Sequence, residues 1–522
     1  MARSPVYWLW LASCALAVAG ACSSACSSSD AKKAPRSYEA AGEGGGDETA
    51  RGGASDGAGT GGSSEAGDPA GRQAGAGGEA GAGAATMTDG WLSGSRLRAV
   101  VYAVGDAKRF HTWHDLMLDA DCQFAVDSDG TERCLPTFDT GYAMYSDSKC
   151  MTPVLVLDAG VTAPDIAAEP YQPFECGKGL QYLKVGADAP GVTDLFSNSS
   201  GDCQPNGTLG VTQTAKKLGA AVSNTLFVGA SQTLQEPRDE RLNANVRFAD
   251  DGSRQVISHY DLTREAECNP RLHEGDGYAC TPEDRAYIEY FFADDKCMTP
   301  AAYHPAYAQQ VCGRAPKIVQ ESRPFFTDLY YEVGAKVNEV YRKDATCDLY
   351  VSPGDPGASY YLAGKVAPFT SFPPLSSAHE GKGRIVLQVL RGAANELVSR
   401  EDFFDTTLDV TCGPGLAEDL ELRCVPRGPY SVNLFADAKC SHALFTNPQG
   451  AALPDNLEYL NANALSGGTA TFKIGAKVAT PAQAYQMNGT TCELAATSDA
   501  EDYYDTTAIT AAQLAKITLE QE

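Results

Sequence analysis

One cysteine-rich unit recurs three times along the chain, and no other feature of the sequence constrains the fold as much. In the first copy Asp115 is followed by Cys122, Cys134, Pro136, Asp147, Lys149 and Cys150. The second copy has Asp261, Cys268, Cys280, Pro282, Asp294, Lys296 and Cys297, and the third has Asp405, Cys412, Cys424, Pro426, Asp437, Lys439 and Cys440. The step from Asp to the first Cys is seven residues in each copy, and the step to the second Cys is twelve. A second half follows in each. Val185-Gly186-Ala187, Val333-Gly334-Ala335 and Ile474-Gly475-Ala476 recur in order, then Leu195-Phe196, Val340-Tyr341 and Ala484-Tyr485, then Cys203, Cys347 and Cys492.

The local pattern is β. Leu97–Ala103, Arg384–Leu390 and Ala470–Ile474 are short, rich in β-branched or aromatic residues and partly alternating. Asp129-Gly130 and Asp276-Gly277 lie between the twelve-spaced cysteines and read as hairpin turns. Helical periodicity is confined to a stretch near Ala511 to Leu519. The expected fold is all-β, with repeats over residues 91–236, 237–380 and 381–522. The two halves of a copy faintly resemble each other. Two four-stranded blades per copy would close a six-bladed propeller, which is the favoured architecture; three tandem β-sandwich-like domains are the alternative.

Fourteen of the 17 cysteines fall in the repeats. Disulfides are the natural reading in an exported chain. Cys122 with Cys134, Cys268 with Cys280, and Cys412 with Cys424 would each staple a hairpin, stabilising by roughly 3 kcal/mol in the chain-entropy model. Cys440 then pairs with Cys492. Copies one and two keep three each, namely Cys150, Cys176, Cys203 and Cys297, Cys312, Cys347. Parity leaves a link between copies or a different frame open.

Ahead of the repeats, Arg3 precedes an apolar run from Val6 to Ala19, which suits the h-region of a secretory signal over residues 1–21. The run ends in Ala19-Gly20-Ala21-Cys22, a lipobox-like site at which Cys22 would be lipidated. Leu11-Ala12-Ser13-Cys14 offers an alternative with too short an apolar run before it, and a plain secreted protein is the other reading. Residues 22–90 read as a disordered tether, since 17 of the 52 glycines lie between residues 41 and 86 and that stretch has no aromatic or branched aliphatic residue. About 60 such residues reach roughly 40–45 Å.

The formal net charge of −26 argues against nucleic acid and anionic membrane surfaces. Asp127-Ser128-Asp129-Gly130 resembles part of a calcium loop, but a β-turn is the stronger reading because the remaining ligands are missing. His111 and His114 flank Trp113, and with Asp115 suggest metal ligands. Trp113, His259 and Phe403 share one repeat position, however, and His114, Tyr260 and Phe404 the next, so the site wants a large ring and packing is expected. Asp115, Asp261 and Asp405, and likewise Asp147, Asp294 and Asp437, are expected to hold turns. The sequence carries no nucleophile elbow, zinc-protease motif, phosphate loop or dinucleotide fingerprint, so no catalytic residue, metal or cofactor is assigned.

The strings Asp129-Gly130-Thr131-Glu132-Arg133-Cys134-Leu135-Pro136 and Tyr145-Ser146-Asp147-Ser148-Lys149-Cys150-Met151-Thr152-Pro153 resemble uncharacterised cysteine-rich repeat lipoproteins of myxobacteria. Copy three departs from that form at Cys440-Ser441-His442. The resemblance implies a cell-surface location and no activity. The expectation is therefore a surface lipoprotein held to the membrane by its lipid, acting as a non-enzymatic binding or scaffold module. Its ligand is unknown: a glycan, a protein or a divalent cation. An extracellular propeller-type hydrolase acting on a glycan is the alternative. The lone polar candidates for such an enzyme are His111, His114 and His273.

Overall fold

The computed structural model describes residues 89–522, apart from 138–140, 171–178, 199–201, 236–240, 274–276, 305–313, 323–327, 344–345, 351–357, 429–433, 451–452, 454–456, 464–467 and 489–490. The stretches expected to be leader and tether, with Cys14 and Cys22, and also Cys176 and Cys312, lie outside the described residues.

Within that range the protein is all-β, with three short 3₁₀ turns. The first half of each copy supplies four consecutive antiparallel strands. In copy one these are Leu97–Val104, Ala107–Asp115, Ala120–Val126 and Glu132–Pro136. Copy two uses Leu242–Ala249, Arg254–Asp261, Ala266–His273 and Gly277–Pro282, and copy three Ile385–Arg391, Leu397–Asp405, Val410–Leu416 and Leu422–Pro426.

Each set of four takes a fifth strand on its first edge. Ala230–Leu234 pairs with Leu242–Ala249, and Pro374–Glu380 pairs with Ile385–Arg391. In copy one that place is filled from the far end of the sequence: Thr518–Gln521 pairs with Leu97–Val104, with Ala103 opposite Thr518 and Val100 opposite Gln521. A 3₁₀ turn precedes each of these strands, at Asn224–Leu226, Phe369–Ser371 and Ala511–Gln513. The second hairpin cysteine of each copy reaches toward the next: Cys134 N–H donates to Val228 O (2.9 Å), Cys280 N–H to Pro373 O (2.9 Å) and Cys424 N–H to Ala515 O (2.8 Å). The succession of strands thus returns to its start, and the three first halves form one closed central body.

The hydrophobic pattern explains its core. Leu97, Ala99 and Val101 alternate inward and pack with Trp113, Phe124, Trp91 and Val228 around the Cys122–Cys134 bridge. Ile385, Leu387 and Val389 do the same with Phe403, Tyr102 and Ile517 around Cys412–Cys424. Cys268–Cys280 sits with Leu242, Leu375, Leu390 and Val398. All six of these cysteines are fully buried.

The second halves form a seven-stranded sheet each, with one shared strand order. Copy one runs Gln204–Thr208, Asp194–Ser197, Gly141–Tyr145, Pro153–Asp158, Gln213–Ala221, Tyr182–Asp188, Ile166–Ala168. In copy two Arg285–Phe292 pairs both with Pro300–His304 and, in parallel, with Ile318–Glu321, so five of the seven strands close into a small barrel. The arrangement differs from the expected six four-stranded blades, because the two halves of a copy have different topologies. The first halves merge into the central body, which also departs from three separate sandwiches. The region near Ala511–Leu519 is a turn followed by a strand rather than a helix.

Six disulfides cross-link the described residues. Cys122–Cys134, Cys268–Cys280, Cys412–Cys424 and Cys440–Cys492 match the expected pairs. Cys150–Cys203 and Cys297–Cys347 complete the pattern in copies one and two, in the frame that Cys440–Cys492 occupies in copy three. So many disulfides fit an oxidising, extracellular compartment.

Candidate binding surface

The repeated aspartates hold the fold. Asp115, Asp261 and Asp405 have fully buried side chains. Each receives a two-pronged guanidinium from an arginine just before the first strand. Arg96 bonds Asp115 at 2.7 and 2.6 Å, Arg241 bonds Asp261 at 3.0 and 2.9 Å, and Arg384 bonds Asp405 at 2.9 and 2.6 Å. The same Nη2 also donates to a carbonyl of the 3₁₀ turn that leads into the next unit: Leu226 O at 2.7 Å, Ser371 O at 2.6 Å, and Gln513 O. The carboxylates accept backbone N–H groups as well, from Met117 and Leu118, Thr263 and Arg264, and Thr407 and Leu408. Sequence reasoning found these aspartates but missed their arginines. The signal was present in Arg96-Leu97, Arg241-Leu242 and Arg384-Ile385.

Asp147, Asp294 and Asp437 organise a second repeated turn. Their carboxylates accept N–H groups two, four and five residues on, for example Lys296 (3.0 Å), Met298 (3.2 Å) and Thr299 (2.6 Å) around Asp294. The turn places Cys150, Cys297 and Cys440 at φ of 52, 51 and 51°, a left-handed conformation held here by the carboxylate and the disulfide. Thr299 and those backbone donors keep the Asp294 carboxyl below the usual carboxylate range.

In the calcium-loop-like stretch both carboxylates engage Arg133, Asp127 at 3.0 Å and Asp129 at 2.8 Å, and Gly130 at φ 81° makes the turn. Asp276, in the matching stretch of copy two, lies outside the described residues.

The histidines are dispersed. Trp113, His259 and Phe403 are buried opposite Cys122, Cys268 and Cys412, as ring positions. His114 bonds Asp121 at 2.9 Å, and His273 bonds Thr281 at 2.9 Å among Tyr330, Phe369 and Phe372. His111 lies against Tyr102, with ring centroids 4.5 Å apart. Burial pushes its imidazole down to about 4, and burial also lowers His304. An unfolded imidazole takes up its proton near pH 6.5. The stability the neutral His111 ring contributes is therefore complete above that pH and is lost as pH falls from about 6.5 toward 4, and His304 acts in the same direction. Melting temperature should drop across this window, and His111→Phe should flatten the drop when thermal unfolding is followed from pH 7 to 4.

Copy three carries an exposed His–carboxylate pair, His442 Nε2 to Asp505 Oδ1 at 2.5 Å. The adjacent Ser441 hydroxyl bonds Asp437 at 3.1 Å rather than this imidazole, so the pair does not activate Ser441 as a nucleophile. At the junction of the central body and the copy-two barrel, Glu283 pairs with Arg285 (3.0 Å) and Arg271 (3.7 Å). Burial raises the carboxyls of Asp284 and Asp328 and pushes the Tyr330 phenol up to about 12. Clustered shifts of this kind accompany catalytic sites. Here they sit in a packed junction, and two surface depressions elsewhere do not include them in their lining.

Those depressions differ. One, of about 510 Å³ in copy one, is lined in part by Asp147 and Asp194, whose carboxylates bond the Asp147 turn and the Thr193 hydroxyl (3.0 Å) respectively. The other, of about 300 Å³, is a groove in the copy-two barrel lined by Lys336, Asn338, Tyr350, Ser359 and Tyr360. Beside it the threefold pattern breaks. Buried Phe291 touches Tyr290 (centroids 4.7 Å), Tyr350 (5.1 Å), Tyr360 (5.2 Å) and Tyr303 (5.5 Å). Arg342 lies 4.6 Å from the centre of the Tyr290 ring and 6.0 Å from that of Tyr350. Tyr290 is 46% exposed. At the positions of Tyr290, Tyr303, Tyr350, Tyr360 and Arg342, copy one has Ala143, Val156, Asn206, Ala215 and Ser197, and copy three has Asn433, Thr446, Ala495, Tyr503 and Gln486. Four tyrosines and a stacked arginine thus converge in a single copy. Chemically this surface stacks and donates hydrogen bonds. Among the described residues the groove lining holds no carboxylate.

No curated protein and no solved structure matches the chain. A family model, described as a family of unknown function, matches residues 79–427 and again 333–522, so that its two overlapping matches span all three copies. The chain belongs to this family of unknown function, DUF7481.

Proposed function

We propose that the protein is an exported surface lipoprotein whose β body is a non-enzymatic binding module. The aromatic groove of copy two carries the binding reading. Three copies share one scaffold, and only one of them gathers Tyr290, Tyr303, Tyr350 and Tyr360 around Phe291. Tyrosine supplies large, rigid, amphipathic contact area at low entropic cost, which suits recognition. Most glycoside hydrolases use two carboxylates flanking the bond. The described lining of the groove offers Lys336, Asn338 and Ser359 instead, which favours binding over the hydrolase reading.

The lipobox-like Ala19-Gly20-Ala21-Cys22, the Gly-rich stretch after it, the six disulfides and the resemblance to myxobacterial repeat lipoproteins support the location. Lipid on Cys22 would hold the body to a membrane, with the tether setting its distance. Cys22→Ala, or inhibition of the lipoprotein signal peptidase, is expected to leave uncleaved precursor. Wild-type protein recovered mature, soluble and without lipid would overturn the anchor.

A further inference from the structure

We infer that the copy-two groove binds a carbohydrate chain, with a sugar ring stacked between the tyrosine faces. This rests on the binding reading above and names the ligand class. The C–H-rich face of a pyranose carries partial positive charge, and the face of an aromatic ring is negative, so the two attract when laid flat. Tyr350 and Tyr360 line the groove, and both pack on buried Phe291, which fixes their rings before a ligand arrives. Preorganised rings lose little entropy on binding. Asn338, Ser359 and Lys336 supply donors at the rim for sugar hydroxyls.

Charge and size argue for the same class. The chain has a formal net charge of −26, yet the described lining of this groove has one charged side chain, Lys336, and Arg342 is stacked on Tyr290 beside it. A cationic partner finds no carboxylate among the described residues of that lining. A volume of about 300 Å³ lies at the small end of ligand sites, ~300–1,000 Å³. That is room for a short stretch of sugar rather than for a folded protein face.

The test uses the full chain and polysaccharide extracted from the envelope of the cells that make it. The polysaccharide is immobilised, with half of it first oxidised by periodate, which cleaves sugar diols and leaves peptide bonds intact. Wild-type protein is expected to be retained on untreated polysaccharide and to lose retention at least tenfold on the oxidised sample. Tyr350→Ala should lose at least tenfold, and Tyr350→Phe, which keeps the stacking face, should stay within about threefold of wild type. Tyr360→Ala, at the other ring lining the groove, provides a second loss-of-stacking variant should Tyr350→Ala fail to fold. Retention that needs the tyrosines but survives periodate would overturn the carbohydrate and leave the binding reading standing. No retention, or retention indifferent to the tyrosines, would overturn both.

Discussion

Deleting residues 510–522 is expected to abolish cooperative folding of the central body and to drive the chain into oligomers. The segment closes the strand succession, as Thr518–Gln521 occupies beside Leu97–Val104 the place that Ala230–Leu234 and Pro374–Glu380 occupy in the other two units. Its Ile517 is 2% exposed, packed with Val389 and Phe403, and its Leu514 is buried beside Val425. Truncating one such side chain to alanine costs about 2–5 kcal/mol. The deletion removes both, takes away the Gln513 carbonyl from Arg384 and the Ala515 carbonyl from Cys424 N–H, and bares the edge of Leu97–Val104. The sum approaches the whole stability of an ordinary domain, about 5–15 kcal/mol. A bared edge strand pairs with other chains. Calorimetry should find no sharp transition, and size exclusion should find species larger than the monomer. Ile517→Ala alone should melt cooperatively, with stability reduced.

Asp261→Asn is expected to cost about 3 kcal/mol, the lower end of the ~3–5 kcal/mol range for breaking a buried pair. The low end applies because Arg241 keeps 28% of its side chain in water. An asparagine oxygen can still accept the Thr263 N–H, but it leaves the guanidinium without its two-pronged acceptor. The Arg241 link to Ser371 O then loosens, and with it the hold on Pro374–Glu380, the strand that pairs with the first strand of copy three. Urea unfolding with the disulfides intact measures the loss. Asp115→Asn and Asp405→Asn should cost similar amounts, because all three aspartates are equally buried and bond equivalent partners.

The spacing of Asp and Cys made the three copies and four of the six disulfides legible in the sequence, and the short alternating stretches made the all-β class legible. The rings at Trp113, His259 and Phe403 were legible as packing because the position keeps a ring while changing its chemistry. What escaped notice depends on contacts between distant segments. Arg96 bonds Leu226 O, 130 residues away, and no local pattern encodes that. Circular closure pairs residues 97–104 with 518–521, so the closing strand reads locally as a helix-like stretch. The half-copies looked alike because each contains a strand, an Asp or Asn turn and a cysteine, but their strand orders differ. The tyrosines of the groove are plain in the sequence, yet they converge only because Arg285–Phe292, Pro300–His304 and Ser359–Val366 lie side by side, with the Cys347–Leu349 strand beyond.

Circular closure of the central body is tested most directly by native-state hydrogen exchange on the peptides covering residues 97–104 and 516–522. Amides in core strands exchange only on global opening, and frayed ends exchange at nearly the free-peptide rate. Protection of both peptides, with one shared opening free energy equal to that of the central hairpins, is the expected result. Free-peptide exchange at 516–522 alongside a protected 254–261 would contradict closure.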